Sequence, residues 1–504
     1  MSAKTIFKGA NSLPFTNLTP LTCIFTKVEK PAVYIGIIIM IQYRHFTKHG
    51  ISHKSANIKT MTIERPEYLR QLINAKMNGA VKIITGIRRC GKSYLLRSIF
   101  KEHLIDEGVA RNHILEIDLE QTEDDMFLNP IKLERHIKAM LPNDDKPVFI
   151  IIDEIQRCDK VLREGVDLAK LHPESRENAY VTFYHVLNAL RQIPNVDVYV
   201  TGSNSKMLAS DIATEFRGRG EVIHVQPLSM SEFIQLKKEA RDLYSVLYEY
   251  LDFGGLPDCV LKQTEAEKAR YLTNLYKTIY LRDIVERNCL KGDEMLDALM
   301  SVVMSGIGGL SNPGKITDTL NTVMGMKTNR VTVGKYVDYL ANAFMISKTM
   351  RYDVKGRRYI GSPLKYYAAD CGLRNACLNF RQNERSHLME NAIFNELTMR
   401  GYAVDVGNVL IDGTSPSGKH EIRRYEVDFV VNKASERIYI QSAFAIPDRA
   451  KREQETFSLR HIKDNFRKVV ITGDPYEKPW LDDHGITFMG IMPFLLDPHS
   501  LETL

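Results

Sequence analysis

The chain has 504 residues, 44% hydrophobic and 26% charged, which is the composition of a globular protein with room for three or four domains. Its formal net charge of +6 is confined to one end: residues 1–60 hold eight Lys or Arg against the single acid Glu29, so they carry +7 and the remainder is near −1. That balance removes any argument for a nucleic-acid face from net charge. Seven scattered cysteines without a C-x-x-C pair exclude a disulfide framework and the common zinc spacings.

Residues 1–60 mix Pro, Thr and Ser with one apolar run, Val33 to Ile41, too short to span a bilayer. They read as an upstream extension without a stable fold, with Met61 a natural first residue of the folded part. A basic membrane- or partner-binding arm is the alternative. No membrane span is expected, and the thiols point to a cytoplasmic setting.

From Met61 to Leu228 apolar strands alternate with helices, the pattern of a parallel sheet covered on both faces. The strands are read at Val81–Ile84, Ile114–Leu119, Val148–Ile152, Val196–Thr201 and Ile223–Val225. Between the first strand and the next helix stands Gly86-Ile87-Arg88-Arg89-Cys90-Gly91-Lys92-Ser93, followed by Tyr94. G-x-x-x-x-G-K-S in that setting is a P-loop. Gly86 and Gly91 allow the tight turn that aims backbone N–H groups at phosphates, and the helix start adds its own unpaired amides. Lys92 supplies charge to the β- and γ-phosphates, and the Ser93 hydroxyl is a Mg²⁺ ligand. Asp153, closing the strand Val148–Ile152, is the second expected metal residue, and Glu154 is placed to activate water.

Asn204, in Thr201-Gly202-Ser203-Asn204-Ser205, is read as a γ-phosphate contact at the carboxyl edge of the sheet, with Ser203 as the other choice. Arg219, in Phe216-Arg217-Gly218-Arg219-Gly220, is the expected catalytic arginine, acting on its own site or a neighbour's. Arg217 is the other arginine of that run. Arg88 and Arg89 lie within the loop but are not required by the motif.

Ser229 to Asn288 is helical, broken at Phe253-Gly254-Gly255-Leu256-Pro257. Helices at Ile316–Met324 and Val331–Ala343, then a hairpin turning at Lys355-Gly356, outline a winged helix-turn-helix. Thr332, Lys335 and Tyr336 lie on its second helix, after Lys327 and Arg330, in position for a DNA groove; Asp338 on the same helix counts against it. The end of the chain reads as an α/β domain. It offers Glu390 on a helix, Glu426 and Asp428 on one face of a strand, and Gln441 on the next strand.

The P-loop, Ile150-Ile151-Ile152-Asp153-Glu154-Ile155-Gln156, Thr201 to Ser205, Gly218-Arg219 and Pro227-Leu228-Ser229 resemble those of prokaryotic AAA-type ATPases. The order of motifs through Gly254-Gly255-Leu256-Pro257 and Arg282-Asp283-Ile284 is the more specific part. The resemblance covers Met61 to Leu504. It implies a P-loop ATPase domain over 61–228, a helical lid over 229–290, a winged helix over 291–370 and a restriction-endonuclease-like α/β domain over 371–504. The implied cofactors are ATP and Mg²⁺, and the expected activity is ATP hydrolysis that moves the C-terminal domains. The alternatives are an ATP-switched DNA-binding regulator and an ATP-dependent nuclease. Expected partners are DNA through the winged helix, a protein through the C-terminal domain, and further copies of the chain. Enzymes of the restriction-endonuclease type need a Glu-x-Lys pair where this chain reads Gln441-Ser442-Ala443. The C-terminal domain is therefore expected to be inactive, with Lys433 and Lys451 the nearest lysines, both off that strand.

Overall fold

A computed structural model describes residues 63–502, except 121–124, 173–175, 204–215, 217, 238–241, 291, 293, 383 and 415–419. The extension read over residues 1–60 lies outside the described residues, as do Asn204 and Arg217. Residues 61–504 form one compact unit. Among the described residues no helix is long and apolar enough to cross a membrane, and the described cysteines are free thiols.

The first sheet has five parallel strands: β1 (Val81–Thr85), β2 (Ile114–Asp118), β3 (Val148–Asp153), and, beyond a small antiparallel hairpin of β4 (Val161–Leu162) and β5 (Tyr180–Val181), β6 (Val196–Gly202) and β7 (Gly220–His224). Their order across the sheet is β2-β3-β6-β1-β7. Helices cover both faces, so the central strands are mostly apolar; β1, β3 and β6 are buried at every residue. Lys82 is the apparent exception on β1. Its ammonium pairs with Asp197 and lies over the Tyr199 ring, and Asp197 also accepts from the Met77 amide and the Tyr199 hydroxyl, each at 2.8 Å. The buried charge is thereby paired and hydrogen-bonded, the condition under which an interior ion is tolerated. The fifth strand runs Gly220–His224, earlier than the Ile223–Val225 read from apolarity, because an edge strand needs less of it.

The helices Leu243–Phe253, Glu265–Leu275 and Arg282–Arg287 follow, then Glu294–Ser305, Pro313–Thr322 and Arg330–Asn342. Asn312 and Asn329 cap the last two by accepting backbone amides.

A second, eight-stranded sheet holds β8 (Ile346–Asp353), β9 (Arg358–Ala368), β10 (Ala403–Thr414), β11 (His420–Lys433), β12 (Glu436–Ala443), β13 (Arg467–Thr472), β14 (Trp480–Leu481) and β15 (Ile486–Gly490). Its order is β14-β15-β13-β12-β11-β10-β8-β9. The hairpin β8–β9, read as the wing of the middle region, is thus built into the C-terminal sheet through parallel pairing of β8 with β10. One sheet crosses the boundary placed at residue 370. The helices Arg385–Met399 and Ile491–Leu496 pack on one face with Phe429, Val431, Ile438 and Ile440. The helix Arg449–Arg460 covers the other with Val427, Val430 and Tyr439.

Candidate functional site: the end of the parallel sheet

The loop 86–93 leaves the carboxyl end of β1 and enters a helix that begins at Lys92. Gly86 adopts φ +142°, and a Cβ there would lie 2.1 Å from the Val225 carbonyl oxygen, so only glycine fits. The Cys90 thiol donates to that same carbonyl at 3.2 Å and anchors the loop to the segment after β7. Lys92 is buried, its ammonium donating to the Gly86 and Ile87 carbonyls at 3.1 Å each. The charge is therefore held inside the loop's own curve.

Asp153 and Glu154 stand two strands away, at the end of β3. The Thr201 hydroxyl donates to Asp153 and accepts the Glu154 amide at 2.9 Å, which ties the ends of β3 and β6 together. Glu154 takes φ +52°, a left-handed conformation a non-glycine residue adopts at a cost. Its carboxylate accepts from the Gln156 side-chain amide and, at 3.4 Å, from the Ser203 hydroxyl. Asp153 and Ser93 offer a carboxylate and a hydroxyl oxygen, the hard donors Mg²⁺ takes.

Two further residues of this site were not found by sequence reading. Arg287 donates to the Ser203 hydroxyl at 2.9 Å and to its carbonyl at 3.3 Å, and pairs with Asp283 at 2.9 Å. Arg88 of the loop pairs with the same Asp283 at 3.1 Å and reaches the Ser203 hydroxyl at 3.4 Å. The Tyr280 hydroxyl donates to the Arg88 carbonyl at 2.6 Å. The segment Tyr276–Arg287 is thereby clamped over the loop; the only sequence signal was Arg282-Asp283-Ile284, which has no periodicity of its own. Burial lowers the Arg287 pKa and raises that of Asp283, the cost of placing the pair between two elements.

Arg65 is the second omission. It is buried, forms a two-point ion pair with Glu232 at 2.9 and 3.0 Å, and donates to the Cys90 carbonyl at 3.1 Å and the Gln226 carbonyl at 2.9 Å. Glu232 also accepts the Ser229 amide while Ser229 accepts the Glu232 amide, a capping box that fixes the carboxylate. At the β7 edge, burial and then the neighbouring Lys92 charge push the His224 imidazole down to about 4, so it stays neutral beside the Thr85 hydroxyl, 2.9 Å away.

The remaining expected residues are not all here. Arg219 lies at the opposite end of the sheet, where its carbonyl accepts the Val81 amide at 3.0 Å. β1 spans about 13 Å between there and the loop at ~3.3 Å per residue, so this arginine is not part of its own chain's site. Arg89 faces Asp258 at 3.3 Å with both side chains half exposed.

In the C-terminal sheet, Glu390, Glu426 and Asp428 do converge, on a residue the sequence reading missed. Lys365 of β9 is buried with its ammonium 2.8 Å from Glu390, 2.6 Å from Glu426 and 3.3 Å from Asp428. Asp428 also accepts the Ser442 amide at 2.9 Å, and Gln441 accepts the Asp428 amide at 3.4 Å. Lys433 lies over the Tyr402 ring and Lys451 pairs with Glu455, so neither joins the cluster. A lysine inside the apolar run Leu364-Lys365-Tyr366-Tyr367-Ala368 is the available signal, beyond the hairpin turn at Lys355-Gly356 and placed within β9 (Arg358–Ala368).

Residues 78–234 match the family described as an AAA domain, and residues 245–384 match a domain of unknown function. An uncharacterized protein of Haemophilus influenzae is 33% identical over 437 residues, 86% of this chain and 98% of that one. The uncharacterized protein MJ1544 of Methanocaldococcus jannaschii is 25% identical over 424 residues, 80% of this chain and 85% of its own. Among solved structures, a Walker-type ATPase of Pyrococcus abyssi aligns at 14% identity over 63% of this chain and 96% of that one, with a TM-score of 0.43. The AAA domain supports ATP binding at the loop 86–93. The chain belongs to the same family as the Haemophilus influenzae protein, a family of AAA-type P-loop ATPases.

Proposed function

We propose that the protein hydrolyses ATP with Mg²⁺ and uses the cycle to move its C-terminal part against a partner. What carries the reading is the pairing of Lys92 in the loop 86–93 with Asp153 and Glu154 at the end of β3, two strands away in one sheet. Lys92 leaves the Gly86 and Ile87 carbonyls for the β- and γ-phosphates, which the loop amides from Ile87 to Tyr94 surround. Ser93 and Asp153 would hold Mg²⁺, which would supply positive charge against the phosphates. Glu154 orients water for attack once Gln156 and Ser203 release it. Arg219 serves a neighbouring copy in a homo-oligomer. A cytoplasmic setting suits the free thiols.

The test is steady-state hydrolysis and nucleotide binding. Lys92→Ala removes a charge from the phosphates and weakens binding. Glu154→Gln keeps binding and slows hydrolysis by about 100-fold or more. Hydrolysis at the wild-type rate in Glu154→Gln would remove Glu154 from the mechanism.

A second reading, an ATP-switched DNA binder, draws on Lys327, Arg330 and Lys335. All three are exposed around the helix Arg330–Asn342, and Asp338 on that helix is neutralised by Lys348.

A further inference from the structure

On the β7 side of the loop 86–93, three parts of the chain leave a cavity of about 370 Å³ between them. One wall is Ile87 with the end of β7 and the residues after it, His224 to Pro227. The second is the end of the helix Arg330–Asn342 with Phe344 and the start of β8. The third is Ala369 with Asn395 and Thr398 of the helix Arg385–Met399. Packed interiors hold few spaces larger than a water molecule, and a cavity of this size lies within the range of small-molecule sites.

The lining carries no unpaired charge. Its charged side chains, Asp338 and Lys348, pair with one another. His224 has an exposed surface that lines this space, and burial, then the Lys92 charge, keep its ring neutral. Nothing in the walls therefore calls for a phosphate or a carboxylate.

What the walls do offer is hydrogen bonding of both kinds. The His224 Nδ1 is 2.9 Å from the Thr85 hydroxyl, which leaves Nε2 without a protein partner among the described residues. The Gln226 side chain donates to the Thr398 hydroxyl at 2.8 Å and keeps its amide oxygen spare. Asn395 likewise donates to the Ala368 and Ala369 carbonyls at 3.2 Å each and keeps its own oxygen. Carboxamides and a neutral imidazole suit the mixed donor and acceptor edge of a purine.

The same wall supplies an aromatic surface. The Phe344 and His224 ring centroids are 4.8 Å apart with planes at 46°, so the rings do not stack on each other. Phe344 is held at φ +56°, a conformation that costs a non-glycine residue and that gathers at ligand clamps. A flat heterocycle laid against such a ring gains stacking energy.

We propose that this cavity is a second ligand site, which binds an uncharged purine nucleoside, its base against Phe344 and its polar edge on His224, Gln226 and Asn395. The ligand needs no phosphate, so the site differs in chemistry from the loop 86–93 and does not depend on the ATPase reading.

The test uses the full chain. Adenosine, guanosine and uridine are each titrated calorimetrically, first with the loop site filled by excess ATPγS and Mg²⁺ and then without either. Expected is saturable binding of a purine nucleoside in both conditions, with uridine at least about fivefold weaker. Ala341→Trp, which fills the space from the helix Arg330–Asn342, abolishes the binding. Phe344→Leu keeps the apolar volume but removes the ring, and weakens it about tenfold. Thermal unfolding checks that each variant is folded, and Phe344→Leu decides the matter if the larger substitution is not. The proposal is overturned if no nucleoside binds, if ATPγS displaces the purine, if uridine binds as tightly, or if Phe344→Leu binds as wild type does.

Discussion

Arg287 Nη2 donates to Ser203 Oγ at 2.9 Å, and through that bond the helix Arg282–Arg287 rests on the strand end beside Glu154. The guanidinium is fixed by Asp283, and in the proposed ATP cycle it would meet the γ-phosphate. Arg287→Ala is expected to lower kcat for ATP about 100-fold with little change in KM, the size of effect seen when one preorganised donor is lost. A variant with full kcat would make Arg287 a strut between elements and nothing more.

Arg219 lies at the far end of β1 from its own loop. If it completes a neighbour's site, Arg219→Ala and Lys92→Ala are each inactive alone but regain hydrolysis when mixed, because a mixed assembly contains sites with both residues intact. Mixing the two at several total concentrations checks this, and no recovery at any ratio would retire the arginine from catalysis.

Much of the candidate nucleotide site is legible because its motif is local: eight consecutive residues with a strand before and a helix after. What escaped is held together by tertiary contacts. Arg65 precedes Pro66 and reads as a surface residue before a helix, yet it is buried by Glu232, 167 positions later. Gly254-Gly255 read as a helix breaker. The structure gives another reason: a Cβ on Gly254 would lie 2.1 Å from an Asp370 carboxylate oxygen, and one on Gly255 2.2 Å from the Leu228 carbonyl. The motif is a close approach of backbone to a carboxylate as much as a break. Lys365 is not legible because its partners, Glu390 on a helix and Glu426 and Asp428 on β11, are remote in sequence.

Asp370 caps the helix Cys371–Cys377, accepting the Leu373 amide at 2.9 Å and the Gly255 amide at 2.7 Å. Burial pushes its carboxyl up from 3.8 to about 6, although the amide bonds oppose this. Between those values the unfolded chain has released the proton and the folded one keeps it, so stability falls as pH rises from about 4 to 6. The contribution is on the order of 2–3 kcal/mol. Asp370→Asn has no proton to lose there. Urea unfolding of both proteins across pH 4–7 should show wild type losing stability relative to Asp370→Asn, and parallel curves would refute the assignment.

Lys327, Arg330 and Lys335 test the DNA-binding reading. Replacing all three with Ala should weaken duplex binding and lower the slope of log K against log salt by about 2–3, one counterion for each lost phosphate contact. Fluorescence anisotropy over a salt series measures it. An unchanged slope would place the DNA contacts elsewhere on the protein.

The pairing of β8 with β10 has a mechanical consequence. Register from Arg351 opposite Val406 to Asp353 opposite Asn408 joins the hairpin to the C-terminal strands by main-chain bonds, and breaking such bonds in a buried setting leaves donors and acceptors unsatisfied at about 1–3 kcal/mol each. The hairpin therefore behaves as an outer plank of a stiff plate and cannot flap on its own. If the helices Pro313–Thr322 and Arg330–Asn342 rotate during a cycle, the bend falls at Ala343–Met345, where Phe344 already sits at φ +56°. Torque applied to those helices would reach the Lys365 cluster through β8 and β9 as one rigid arm.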